Sequence, residues 1–157
     1  MAAMDALAEL TPVSDTYATL PVAEAFDWSG AAQQLGSGDW YMVAFRSIRR
    51  IDADEERLTE YDERAHLEAA AAPGFVYYFK GPAAPDRSCL SFCLWTSRPE
   101  ARAASGRPHH VEAVSLLNEM YESYNLEFLR VTGRPGEPLR FEPYDRPVID
   151  DPLERAA

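Results

Sequence analysis

The residues best suited to chemistry are a histidine pair, His109-His110, opening a helical pattern, and a tryptophan, Trp95, closing a strand pattern. A neutral imidazole on an apolar helix face works as a general base if it faces a cavity, because desolvation and neighbours set its pKa near working pH. His110 is therefore the first expected catalytic residue. The alternative for it is a core histidine bonded to backbone near a helix start. His109 is the next residue but lies about 100° round the helix, so it is expected at the pocket edge rather than on the same substrate atom. Trp95 offers a flat face for an aromatic substrate, or plain core. Tyr41, Tyr77 and Tyr78 supply phenols for an enolate or phenolate, with Tyr78 the expected proton-moving partner of His110. Arg46 is the one charge inside its strand; it balances a substrate anion or pairs with an acidic helix residue. Phe45, Leu117 and Tyr121 complete the expected lining.

Other chemistries lack their residues. No third ligand stands at metal spacing from the histidines, so no metal site is expected. There is no glycine-rich phosphate loop, serine elbow or nucleotide fingerprint. Cys89 and Cys93 lie four apart in one predicted strand, on one face and about 13 Å apart, too far to bridge. Reduced, buried thiols are expected, which fits a cytoplasmic chain. In the 157 residues, fifteen basic against twenty-six acidic side chains give a net charge of −11. Such a surface repels phosphate backbones and anionic lipid, which argues against nucleic acid and membrane partners. No apolar run approaches the roughly 20 residues that cross a bilayer, and Met1–Asp5 lacks the features of a signal peptide.

The elements that must position these residues follow from the hydrophobic periodicity. Trp40–Ser47, Phe75–Lys80, Cys89–Thr96 and Tyr124–Val131 read as strands, the first two apolar on both parities. Asp52 with Glu55 reads as a capping box opening a helix whose stripe is Leu58, Tyr61, Ala65, Ala69 and Ala72. His66 falls beside that stripe and is expected in solvent. Gly81–Ser88 reads as a hairpin connector. Ser97 caps a short helix containing Pro99 and Glu100. A second helix follows, with His110 central in a stripe of Val114, Leu117, Tyr121 and Tyr124. Residues 1–38 read as an extension docked through Phe26 and Trp28, with a short helix over Ser29–Leu35. Residues 39–132 form the domain. Residues 133–157 read as an arm without an element of its own.

The order strand–helix–strand–strand–helices–strand is a split βαβ arrangement, an α+β, ferredoxin-like fold. Helices on one side cover one face of such a sheet. The other apolar face is expected to meet the same sheet of a second copy, a homodimer.

At Leu94-Trp-Thr-Ser97, Glu100-Ala101 and Arg107-Pro-His-His110, the chain resembles the antibiotic-biosynthesis-monooxygenase-like families of the dimeric α+β barrel superfamily. The resemblance covers roughly residues 39–132 and implies a barrel made by two subunits with a pocket between sheet and helices. In the quinone-forming branch an asparagine precedes the strand tryptophan by four residues and a tyrosine follows it by six; here those positions are Ser91 and Ala101. In the haem-degrading branch the corresponding positions are Phe45, Ala104 and Val114. The resemblance implies a cofactor-free enzyme on an aromatic or polyketide-like small molecule, working by oxygenation or proton-transfer rearrangement. A binding protein on the same scaffold is the second reading, and haem binding through His109 or His110 the third.

Overall fold

The computed structural model describes residues 6–149, so the expectations for residues 1–5 and 150–157 lie outside the described residues. The N-terminal segment holds a 3-10 turn, Tyr17–Thr19, and two short helices, α1 (Val22–Ala25) and α2 (Ser29–Leu35). The sheet and its covering helices follow. These are β1 (Gly38–Arg49), α3 (Glu55–Ala70), β2 (Phe75–Phe79), β3 (Ser88–Trp95), α4 (Arg98–Ser105), α5 (Pro108–Ser115), α6 (Leu117–Met120), β4 (Tyr121–Gly133) and β5 (Arg140–Ile149). The strands lie in the order β2-β3-β1-β4-β5, with each neighbouring pair antiparallel. The first four are the ferredoxin-like α+β sheet, and β5 extends it at one edge.

Local chemistry sets the boundaries. Asp54, rather than Asp52, caps α3, its carboxylate accepting from Arg57 N at 3.0 Å. Asp52 pairs instead with Arg50 at 3.0 Å. Ser97 caps α4 as expected. The single long helix expected after Pro108 is corrected. α5 stops at Ser115, α6 adds one turn, and the chain is extended from Tyr121. Tyr121 and Tyr124 therefore belong to β4, because this β-rich run pairs along β1 from Arg49↔Tyr121 to Gly38↔Gly133. The C-terminal arm is corrected too: Arg140–Ile149 is a strand on β4, which scattered apolar residues at an exposed edge do not reveal.

Register sorts the sheet into two faces. Met42, Ala44 and Arg46 share a face with Leu94, Phe92 and Leu90, while Tyr41, Val43, Phe45 and Ser47 share the other with Trp95, Cys93, Ser91 and Cys89. The helices cover the second face. On the first, the chain's own N-terminal segment packs. Leu7, Leu10, Tyr17, Val22, Ala25, Phe26 and Trp28 form one buried cluster with Met42, Ala44, Phe79, Leu90, Phe92, Leu94 and Val131. Phe26 lies 5.1 Å from Phe79, and Trp28 lies 5.4 Å from Phe92 and 5.0 Å from Phe141 of β5. Tyr17 donates to the Pro82 carbonyl at 2.6 Å and accepts from Leu90 N at 3.3 Å. Gly81 makes that approach possible, since a Cβ there would sit 2.5 Å from the Tyr17 hydroxyl and 2.0 Å from the Leu90 carbonyl oxygen. Residues of both sheet faces are thus buried by other parts of the same chain.

Candidate active site

Between the second sheet face and helices α3 to α6 lies a cavity of about 620 Å³. Its floor is the odd-numbered run of β1, Tyr41, Val43, Phe45, Ser47 and Arg49, flanked by Cys89, Ser91, Cys93 and Trp95 of β3 and by Leu126 and Phe128 of β4. Its roof is Leu58, Tyr61, Asp62, Ala65, His66 and Ala69 of α3, with Ala101 and Ala104 of α4 and His110, Val114 and Leu117 from the following helices. Small residues on α4 let that helix approach Trp95, which packs edge-on against Phe75 at 5.5 Å. The walls are mostly aromatic and aliphatic, with a few polar groups converging, the usual make-up of a small-molecule site.

Tyr78 is the most constrained of those polar groups. Its hydroxyl donates to Asp62 Oδ1 at 2.8 Å, and Lys80 Nζ stands 3.7 Å from Asp62 Oδ2. Burial, reinforced by the Asp62 carboxylate, raises the Tyr78 pKa far above the ordinary tyrosine value. It therefore stays a phenol, its hydroxyl donating a hydrogen bond to Asp62 while its oxygen can still accept one. His66 stacks on the Tyr78 ring at 5.1 Å. Cys93 beside them is pushed up to about 12 by desolvation, so the thiol is uncharged and inert. Tyr121 is also raised to about 12, first by burial, and its ring meets Phe45 edge-on at 5.3 Å.

His110 sits at the mouth, one side of its ring open to solvent and the other against the apolar wall. That partial desolvation lowers its pKa below the ordinary imidazole value, while Glu68 pulls the other way. Glu68 has a structural task as well. Its two carboxylate oxygens face the first amides of α5, accepting from His109 N at 3.3 Å and His110 N at 3.4 Å. α5 has no side-chain cap of its own, so an acid on α3 caps it and fixes where the histidine pair begins.

The structure brings Tyr41, Phe45, Tyr78, Trp95, His110, Leu117 and Tyr121 to one cavity. Tyr41 enters through its ring, because its hydroxyl is turned to Asp145 Oδ2 of β5 at 2.6 Å. Three expected residues fall elsewhere, and one of them, Tyr77, packs against the N-terminal cluster on the opposite face. Arg46 lies on the opposite face, held by Glu127 at 3.1 Å and by the Ala18 carbonyl at 2.7 Å. Its partner is on a neighbouring strand, not a helix. His109 turns away from the cavity to Glu112, 3.4 Å distant. Asp62, His66, Glu68 and Arg49 were not expected there. The i, i+4 ladder Leu58–Asp62–His66 is a sequence signal for the first two, and parity carried two residues past Ser47 is one for Arg49. Among the described residues no group of three or more His, Cys, Asp or Glu could hold a metal. No helix among them is long and apolar enough to cross a membrane.

Comparison with known proteins gives a family and a fold. The family described as PB2B2.08-like matches residues 1–143. No curated protein matches the chain. Among solved structures, a conserved protein from Methanosarcina mazei Go1 is similar with a TM-score of 0.51 at 11% identity, covering 60% of this chain and 93% of that one. The NE2512 protein of unknown function from Nitrosomonas europaea follows at 0.50 and 16%, covering 60% and 91%. SnoaB, a cofactor-independent oxygenase from Streptomyces nogalater, is similar at 0.48 and 18%, covering 65% and 99%. At these identities the likeness is one of fold.

Proposed function

The chain belongs to the PB2B2.08-like family, and we propose that it binds a flat, largely apolar small molecule between sheet and helices and acts on it without a cofactor. The observation that carries this reading is the cavity of about 620 Å³ with Trp95, Phe45, Tyr121 and Phe128 on its walls and His110 at its mouth. The volume suits a molecule of two to three fused rings. An aromatic or polyketide-like compound with an acidic C–H or O–H would stack on these rings, lose its proton to neutral His110, and react as the carbanion or phenolate with dioxygen or by rearrangement. Tyr78, fixed by Asp62, would orient a substrate hydroxyl through its free lone pairs. In this reading one chain is the working unit, since residues 7–31 fill the sheet face that a homodimer would have used.

Oxygen uptake with anthrone- and quinol-type substrates tests the reading. We expect uptake with the wild type and a fall of about 10²-fold or more in His110→Ala, the usual contribution of a general base. Binding of such compounds with no uptake and no rearranged product would instead support the non-catalytic reading, which Ser91 and Ala101 at the oxygenase positions favour. No binding of any would end both.

A further inference from the structure

We propose that Arg49 is the substrate-recognition residue of this cavity, placed to bind a carboxylate or comparable oxyanion on an otherwise apolar ligand. The inference rests on the small-molecule reading of the cavity and adds the class of compound that fits it. Arg49 ends the odd-numbered run of β1 and lines the cavity, its side chain only 16% exposed. Its Nη1 donates to Glu55 Oε2 at 2.7 Å, an acceptor on the solvent side that is 62% exposed. Its Nε is fully buried and has no hydrogen-bond partner. Among the described residues it is the only buried side-chain nitrogen or oxygen in that condition.

An unpaired donor on a buried cation is costly, and native proteins rarely leave one without a use. Here Glu55 takes one corner of the fork and leaves the Nε edge, the edge that meets a planar carboxylate with two parallel hydrogen bonds. The residues around it match a ligand's polar end. Ser47 is beside it on the same strand face, and Cys89 and Ser91 lie across on β3. Leu58 and Leu116 exclude water from this end. A ligand entering past His110 would lay its rings on Phe45 and Trp95 and present its anionic group to Arg49. The protein's net charge of −11 does not attract anions at long range, so discrimination must come from this single desolvated contact.

Titration calorimetry at pH 7 with 2-naphthoate and its neutral counterpart 2-naphthalenemethanol tests the assignment. We expect the wild type to bind the acid at least about tenfold more tightly than the alcohol, the worth of a hydrogen bond to a charged group. Arg49→Met should abolish that preference and leave the alcohol's affinity unchanged. Arg102→Met, which alters a different cation on the lining, should retain it. If the wild type binds the alcohol and shows no preference for the acid, the role of Arg49 is overturned while the pocket stands. The same follows if the preference survives Arg49→Met or vanishes in Arg102→Met. If neither compound binds, the pocket reading fails and this one with it.

Discussion

At the scale of single residues, the site depends on which side chains are held neutral and which are held in place. His110 has a folded pKa below that of the unfolded chain, because part of its ring is desolvated. The folded state therefore binds fewer protons than the unfolded state just below the ordinary imidazole value of about 6.5, and stability falls as pH drops through that window. NMR titration of His110 should give a midpoint below about 6.5. In Glu68→Gln the midpoint should move lower still, since the carboxylate that favours the imidazolium is gone. The same substitution weakens the cap of α5 and should cost on the order of 1 kcal/mol in denaturant unfolding. A second expectation concerns Tyr78. Tyr78→Phe removes the donor to Asp62, which keeps Lys80 at 3.7 Å, so about 1 kcal/mol of stability should be lost. Asp62→Asn should cost less, because an amide oxygen still accepts. Measuring both by urea unfolding separates the two. The two arginines of β1 show how far sequence reading reached. Arg46 looked like a pocket charge because it was the one charge inside the predicted strand, but strand parity puts it with Met42 and Ala44 under the N-terminal segment. Arg49 was passed over because the predicted strand ended at Ser47, two residues before its observed end.

At the scale of elements, periodicity and capping chemistry located β1 to β3, α3 and α4 to within a few residues. They failed where tertiary pairing decides. The stripe Val114, Leu117, Tyr121, Tyr124 fits a helix by spacing alone, yet the last two pair with Arg49 and Ser47 across β1. Likewise β5 carries Pro143 and Pro147 and exposes Tyr144, Val148 and Ile149, so its own composition argues against a strand. Its attachment is partly polar. Asp145 accepts from Arg98 at 2.7 Å and from Tyr41 at 2.6 Å, and the Arg98 hydrogen bond holds its pKa below the ordinary carboxylate value. A depressed carboxylate pKa gives stability that is present above the unfolded value of about 3.9 and lost as pH falls below it. Hydrogen exchange should accordingly show the β5 amides losing protection in that acid range. Asp145→Asn should weaken their protection at neutral pH as well.

At the scale of the whole molecule, the two apolar sheet faces have two different covers. The helices leave a cavity on one; residues 7–31 pack on the other. Reading the strands correctly predicted that the second face must be covered, but nothing in a strand's own pattern says by what. The information lay in Phe26 and Trp28, which pack on that face but were not connected to that need. Phe26→Ala empties the centre of the aromatic cluster formed by Tyr17, Trp28, Phe79 and Phe92 and should cost about 3–5 kcal/mol. Light scattering should find the intact chain as a single copy. A variant lacking residues 1–35 should self-associate, because Phe79, Leu90, Phe92 and Leu94 would then face water as one contiguous patch.

Trp28 is held between Phe92 and Phe141, one from the middle of the chain and one from near its end. As the polypeptide leaves the ribosome, the segment carrying Trp28 has no complete seat until β3 and then β5 have emerged. Until then its aromatic residues stay exposed to whatever chaperone or sticky surface is nearby. Contacts of such long sequence separation are expected to form late in folding. A pulse of refolding should find the β2–β3 hairpin protected early and the indole of Trp28 buried last.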